Sequence, residues 1–176
     1  DVLSQAVRWS HKADPGTVPT SWDVTDPTVD AGQLQLTDPK GGEILWAALL
    51  GDQLIVYKSR STHAIRFVGG EDIFGSQMIL ATSGVLAAKC ACSYDNGTKH
   101  FVVTQDDILT NSGTREAASI VEDLVKDSIF NDIDQTNFVN SFAFDNPKAK
   151  ECWFCYPTVG QTYPDRAAIY NYKDKV

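Results

Sequence analysis

Leu54-Ile55-Val56-Tyr57, then Ser59-Arg60-Ser61, then Ala64-Ile65-Arg66-Phe67-Val68, closed by Gly69-Gly70, reads as strand, turn and strand. β-Branched and aromatic side chains fit a pleated, half-buried surface, and runs this short cannot sustain a helix. The same grammar recurs downstream. Asn96-Gly97 opens a second unit, because both positions tolerate the positive φ of a tight hairpin. Phe101-Val102-Val103, a turn at Asp106-Asp107, Ile108-Leu109 and a turn at Asn111-Ser112-Gly113 follow. A third unit holds Phe142-Ala143-Phe144, a turn at Asp145-Asn146-Pro147, Cys152-Trp153-Phe154, a loop through Val159-Gly160-Gln161, and Ala168-Ile169-Tyr170.

Gly51 to Asn96 is 45 residues, and Asn96 to Asn146 is 50. Periods of roughly 40–50 residues, each with a few short strands, match propeller blades. The same spacing fits a β-sandwich with regularly placed hairpins. The predicted fold class is mainly β, with antiparallel hairpins forming part of a β-propeller in a single β-rich region over residues 1–176.

Two segments depart from this pattern. Ala117, Ile120, Val121, Leu124, Val125 and Ile129 fall at helical spacing, and Ser119 with Glu122 has the form of a capping box. One short amphipathic helix is therefore predicted within 118–130, docked on the sheets as a connector, with partner binding as the functional alternative. The first forty-odd residues are rich in turn formers: Asp14-Pro15-Gly16, Pro19, Asp26-Pro27, Asp38-Pro39 and Gly41-Gly42. Val7-Arg8-Trp9 and Gln33-Leu34-Gln35-Leu36 are short apolar pieces between them. Trp9 and Trp22 are expected to pin this segment onto a sheet, and a sugar-stacking platform is the sharper alternative.

Composition narrows the function. Hydrophobic residues at 43% and charged residues at 22% are those of a globular chain, which excludes global disorder. A net charge of −8 with scattered Lys and Arg disfavours a nucleic-acid groove, since phosphate binding needs clustered cations. An acidic wall past which DNA slides is compatible with it. No apolar stretch reaches the roughly 18–20 residues of a membrane-spanning helix; Ile44 to Leu50 stops at Gly51-Asp52. A start at Asp1 without a secretory pattern reads as a processed or partial chain.

Motifs for chemistry are weak. Cys152-x-x-Cys155 has the spacing of zinc knuckles and redox pairs, but aromatic neighbours place it on a strand, where residues three apart face opposite ways. Cys90-x-Cys92 sits among Ala87, Ala88 and Ala91, so buried thiols are the expectation, with disulfides only in an oxidising compartment. His11, His63 and His100 lie apart, and the sequence has no G-x-S-x-G, H-E-x-x-H or P-loop. Asp106-Asp107 could pair for acid–base work, but adjacent residues diverge on a strand and Asp favours turns. The reading is therefore not an enzyme: no catalytic residue, metal ligand or cofactor is assigned. Ser93-Tyr94-Asp95-Asn96-Gly97-Thr98 resembles the S-x-D-x-G core of the Asp box in sialidase-like propellers, with His100 at the usual aromatic position. That box is a folding element and points to a hairpin.

The order of motifs carries a further resemblance. Val7-Arg8-Trp9-Ser10, Pro19-Thr20-Ser21-Trp22, Ala31-Gly32 and Leu49 through Lys58 are followed by Ile65 through Gly70 and Ser83-Gly84-Val85-Leu86. Phe101 through Ile108 and Cys152-Trp153-Phe154-Cys155-Tyr156-Pro157 complete the series. Together they resemble structural proteins of tailed-phage virions, most of all the propeller-bearing tail hub, nozzle or stabilisation proteins of short-tailed phages. The resemblance implies a virion location with assembly in the host cytoplasm, and copies of the chain in a ring, commonly a hexamer. It also implies contact with portal, adaptor and other tail proteins, and transient passage of viral DNA without specific binding. Members of that family are longer, and three units fall short of a ring of roughly 4–8 blades. The chain is thus expected to be a fragment, or to have neighbours that supply the rest. A carbohydrate-binding or carbohydrate-active propeller and a generic protein-interaction propeller are the competing functions. The first would need a pocket with convergent acids and an exposed Trp.

Overall fold

The hairpin signals become strands in the computed structural model, which describes residues 4–39, 42–70 and 72–176. Gly41 of the early turn series lies outside the described residues. A short antiparallel pair comes first, β1 (Ala6–Trp9) with β2 (Gly32–Gln35). Next is a four-stranded sheet in sequential order, β3 (Ile44–Leu50), β4 (Gln53–Lys58), β5 (Thr62–Phe67) and β6 (Phe74–Leu80). The second sheet repeats this order with β7 (Ala91–Tyr94), β8 (Lys99–Val103), β9 (Ile108–Asn111) and β10 (Ala117–Ser119). The third has β11 (Phe142–Asn146), β12 (Glu151–Tyr156) and β13 (Arg166–Asn171). All pairings between these strands are antiparallel. The first strands begin at residues 44, 91 and 142, intervals of 47 and 51.

Side-chain alternation decides how the sheets stack. On the first sheet, Ile55, Tyr57 and Ala64 face the second, while Val56 and Ile65 face β1–β2 through Leu36. We call these its forward and rear faces. The second sheet turns its rear face to the first, where His100 meets Tyr57, and its forward face to the third, where Phe101 stacks on Tyr170. The third sheet buries Cys152, Phe154 and Tyr156 on its rear face. Forward meets rear at both junctions. β3 approaches β7, and β7 approaches β11, so the first strands of successive sheets are neighbours.

The connection 81–90 ties the sheets by backbone. Val85 N–H donates to Lys58 O (3.0 Å), Leu86 N–H to Val103 O (2.9 Å), and Ala143 N–H to Lys89 O (2.8 Å). Gly84 is required here, because a Cβ would lie 2.1 Å from Lys58 O and 2.5 Å from Arg60 N.

Two expectations need correction. Residues 117–119 are strand β10, not helix, and α1 runs from Asp123 to Asp132. Ser119 does not cap it: its hydroxyl bonds Asp107 Oδ1 at 2.9 Å, and Glu122 at the N-cap makes no side-chain cap bond. The pairing of β10 with β9 wins because it satisfies the backbone of a sheet edge, which a capping box cannot do. Ile129 docks in the core while Leu124 and Val125 face solvent, so only part of the predicted apolar stripe is used. The third-unit turn starts at Pro147, and Asp145 and Asn146 belong to β11. Trp9 does pin the N-terminal segment, donating to Asp30 O at 2.7 Å and meeting Phe74 edge-on. Trp22 stays 54% exposed, and only its carbonyl is engaged, by Arg8.

Candidate functional site

Three places concentrate chemistry or unpartnered surface. The first is a buried polar cluster where the N-terminal segment crosses the first sheet. Lys58 ends β4, and its side chain is fully buried on the rear face. Its ammonium donates to Asp38 Oδ2 (2.7 Å), Leu36 O (2.6 Å) and Gln5 Oε1 (3.0 Å), which uses all three N–H groups. Ser61 Oγ donates to the same Asp38 oxygen at 2.7 Å, and His63 Nε2 lies 3.4 Å away. Burial alone would raise the Asp38 carboxyl, but hydrogen bonds from Lys58 and Ser61 outweigh it and hold the group well below the usual carboxylate range. Burial pulls His63 below its ordinary value, partly offset by Asp38. Among the described residues the cluster is closed by its own hydrogen bonds and holds the segment in place.

His100 occupies a second closed site. Its Nε2 lies 2.9 Å from Leu49 O, and since a carbonyl only accepts, the proton sits on Nε2. Nδ1 therefore accepts from the Tyr57 hydroxyl at 2.8 Å. Burial lowers the imidazole and raises the phenol, so both are neutral. His11, the third histidine, accepts from Asp30 N–H at 2.9 Å in the N-terminal segment. The three histidines thus lie in separate environments; His63 Nε2 is 3.4 Å from the buried Ser61 hydroxyl, which donates to Asp38 at 2.7 Å.

The remaining sequence candidates resolve as structure. Thr104, Asp106 and Asp107 form a hydrogen-bonded turn, with Asp107 Oδ1 accepting from Ile108 N–H at 2.7 Å. The Asp-box-like hairpin has Asp95, Asn96 and Gly97 at positive φ (53°, 56° and 75°), and Asp95 turns to Lys99. Cys152 and Cys155 point to opposite faces of β12, one buried and one half-buried. Cys152 instead neighbours Cys92, whose thiol, with burial, pushes it up. Burial pushes Cys90 up to about 12, so these thiols are poor nucleophiles. No group of three or more His, Cys, Asp or Glu is placed to hold a metal among the described residues.

The second place is a cavity of about 830 Å³ along the first strands of the three sheets. Trp46 of β3, Cys92 of β7, and Ser141, Phe142 and Asp145 on and beside β11 line it. Trp46 Nε1, Ser141 Oγ and Asp145 Oδ1 are buried there without a protein partner. Burial raises the Asp145 carboxyl. Its walls mix aromatic rings with one acid and do not converge acids on one point.

The third place is the forward face of the third sheet. Phe142 lies opposite Cys155, Phe144 opposite Trp153, and Trp153 opposite Ile169. The rings of Phe142, Phe144 and Trp153 stack at centroid distances of 6.2 and 5.8 Å. Phe142, Phe144 and Ile169 are 37%, 40% and 48% exposed. The row of stacked aromatics is thus partly open to water. Sequence reading placed these residues on strands but did not see that one side would lack cover; alternation in Phe142-x-Phe144 and Trp153-x-Cys155 is the signal that marks them as one face.

No family model matches the chain, and no curated protein is similar to it.

Proposed function

We propose that the chain is a structural component of a phage tail, part of a hub or nozzle below the portal and adaptor, built from consecutive blades of a β-propeller. The tail assignment rests on the motif series from Val7 to Pro157, and the fold half of the reading rests on one observation. Sequential antiparallel sheets stack forward to rear with their first strands adjoining, an order that supports reading them as blades around an axis. In this reading the work of the protein is shape and contact. Electron imaging of tails carrying a tagged copy tests it: label in a symmetric ring on the portal axis supports it, and label absent from purified tails overturns it.

A second reading, a carbohydrate-binding propeller, draws on the cavity beside the first strands. There Trp46, Phe142 and Phe144 give aromatic walls suited to a pyranose face, and a sugar would have to draw the buried Trp46 N–H, Ser141 hydroxyl and Asp145 oxygen into reach. Glycan-array binding that is lost in Trp46→Phe and Ser141→Ala supports it; no binding to any glycan removes it.

A further inference from the structure

We infer that Cys92 and Cys152 form a reversible disulfide that clamps the second sheet to the third. Cys92 is the thiol that meets the oxidant, and Cys152 is the one that closes the bond.

Strand register brings the two thiols face to face. Cys92 of β7 lies opposite Phe101 of β8, so both point forward from the second sheet. Cys152 of β12 lies opposite Tyr170 of β13, so both point rearward from the third. Phe101 stacks on Tyr170 with centroids 6.5 Å apart, and Tyr94, on the same side of β7 as Cys92, meets Tyr172 at 5.1 Å. Beside these ring contacts Cys92 packs against the core that buries Cys152, and the two thiols interact directly. The remaining cysteines are turned elsewhere. Cys155 points to the opposite face of β12, and Cys90 directs its thiol to Ser141 O at 3.5 Å.

The pair differs in access, which sets the order of events. Cys92 is half-buried and lines the cavity along the first strands, whereas Cys152 is fully buried. A small disulfide entering the cavity reaches Cys92 first. The Cys92 thiolate displaces one thiol from the reagent and leaves a mixed disulfide; Cys152 then attacks Cys92 Sγ and displaces the second thiol. Two protein thiols become one disulfide, the reagent gains the two electrons, and both protons end on the released thiols. Burial makes Cys152 a weak nucleophile on its own, and two features offset this. Its target is already in contact, and Asp145 lies opposite it on β11 with Oδ1 free of protein partners to take the proton as the bond closes. The joined positions are 60 apart in sequence, so the bond restrains a long stretch of the unfolded chain.

Treating the purified, reduced chain with glutathione disulfide tests this. The expected product is a monomer that has lost two hydrogens, carries no glutathione and joins tryptic peptides 90–99 and 151–166. Its melting temperature is expected to rise by about 5–10 °C, and dithiothreitol to reverse the change. Cys152→Ser is expected to keep its fold by circular dichroism and to accumulate glutathione on Cys92 about tenfold above the unaltered chain. Cys90→Ser is expected to close the bond as before. A folded chain that takes up no oxidant overturns the inference. So does a stable glutathione adduct on Cys92 that leaves Cys152 open to alkylation after unfolding, or a bond between the same two peptides that persists in Cys92→Ser.

Discussion

The two ends of the sheet stack solve the same problem in opposite ways. At the rear, the first sheet has a face that would be left to water, and the N-terminal segment folds over it. Leu36 is buried there with Val56 and Ile65, and Lys58 and Asp38 form an ion pair with both side chains at 1% exposure or less. At the front, the third sheet keeps Phe142, Phe144 and Ile169 in solvent. The difference teaches where stability and where recognition reside. A lid fixed by a fully satisfied buried charge cannot exchange partners cheaply, whereas an uncovered apolar face holds its interaction free energy in reserve.

The comparison breaks most readily at the rear. Lys58→Met leaves the Asp38 carboxylate buried without its cation, and is expected to cost about 3–5 kcal/mol in urea unfolding. Acid attacks the rear through His63, and the first junction between sheets through His100, more gently. His63 and His100 have lowered pKa values in the fold, so the unfolded chain binds more protons below its own histidine value of 6.5, and stability falls as pH drops from there. Asp38 is also lowered, so its contribution is intact above 3.8 and is lost as pH falls through its depressed folded value. Thermal melts from pH 8 to pH 3 are expected to show a decline starting near 6.5 and steepening below 4; a flat profile would mean that these groups are not held as described. Gly84→Ala drives a methyl into the Lys58 carbonyl and is expected to cost about 1–3 kcal/mol by the same unfolding measurement. At the front, Ile169→Thr is expected to shift stability of the isolated chain by no more than about 0.5 kcal/mol, because the side chain is already half in water. A large loss there would mean that the face is covered, and the contrast between the ends would disappear.

Much of the sheet architecture could be read from residues alone, since it depends on local alternation and turn chemistry. Leu54–Tyr57 and Ala64–Phe67 became β4 and β5, Asn96-Gly97 became a hairpin turn, and the near-50-residue spacing became the interval between first strands. What depends on distant contacts was hidden. Ala117–Ser119 has helical spacing with Ile120 and Leu124, yet pairing with β9 claims it for a sheet. No local pattern singles out Lys58. Its role emerges only because Asp38, twenty residues away, comes over the sheet to meet it. The cavity along the first strands draws on residues from 46 to 145, and no local pattern encodes that convergence.

The connection 81–90 has a mechanical consequence. Its backbone is held at once to Lys58, Val103 and Ala143, one anchor in each of the three sheets. Tension applied across the stack is therefore divided among backbone hydrogen bonds loaded side by side, close to the first strands. The outer strand β10, which lacks that tether, would peel away before the junction itself gave.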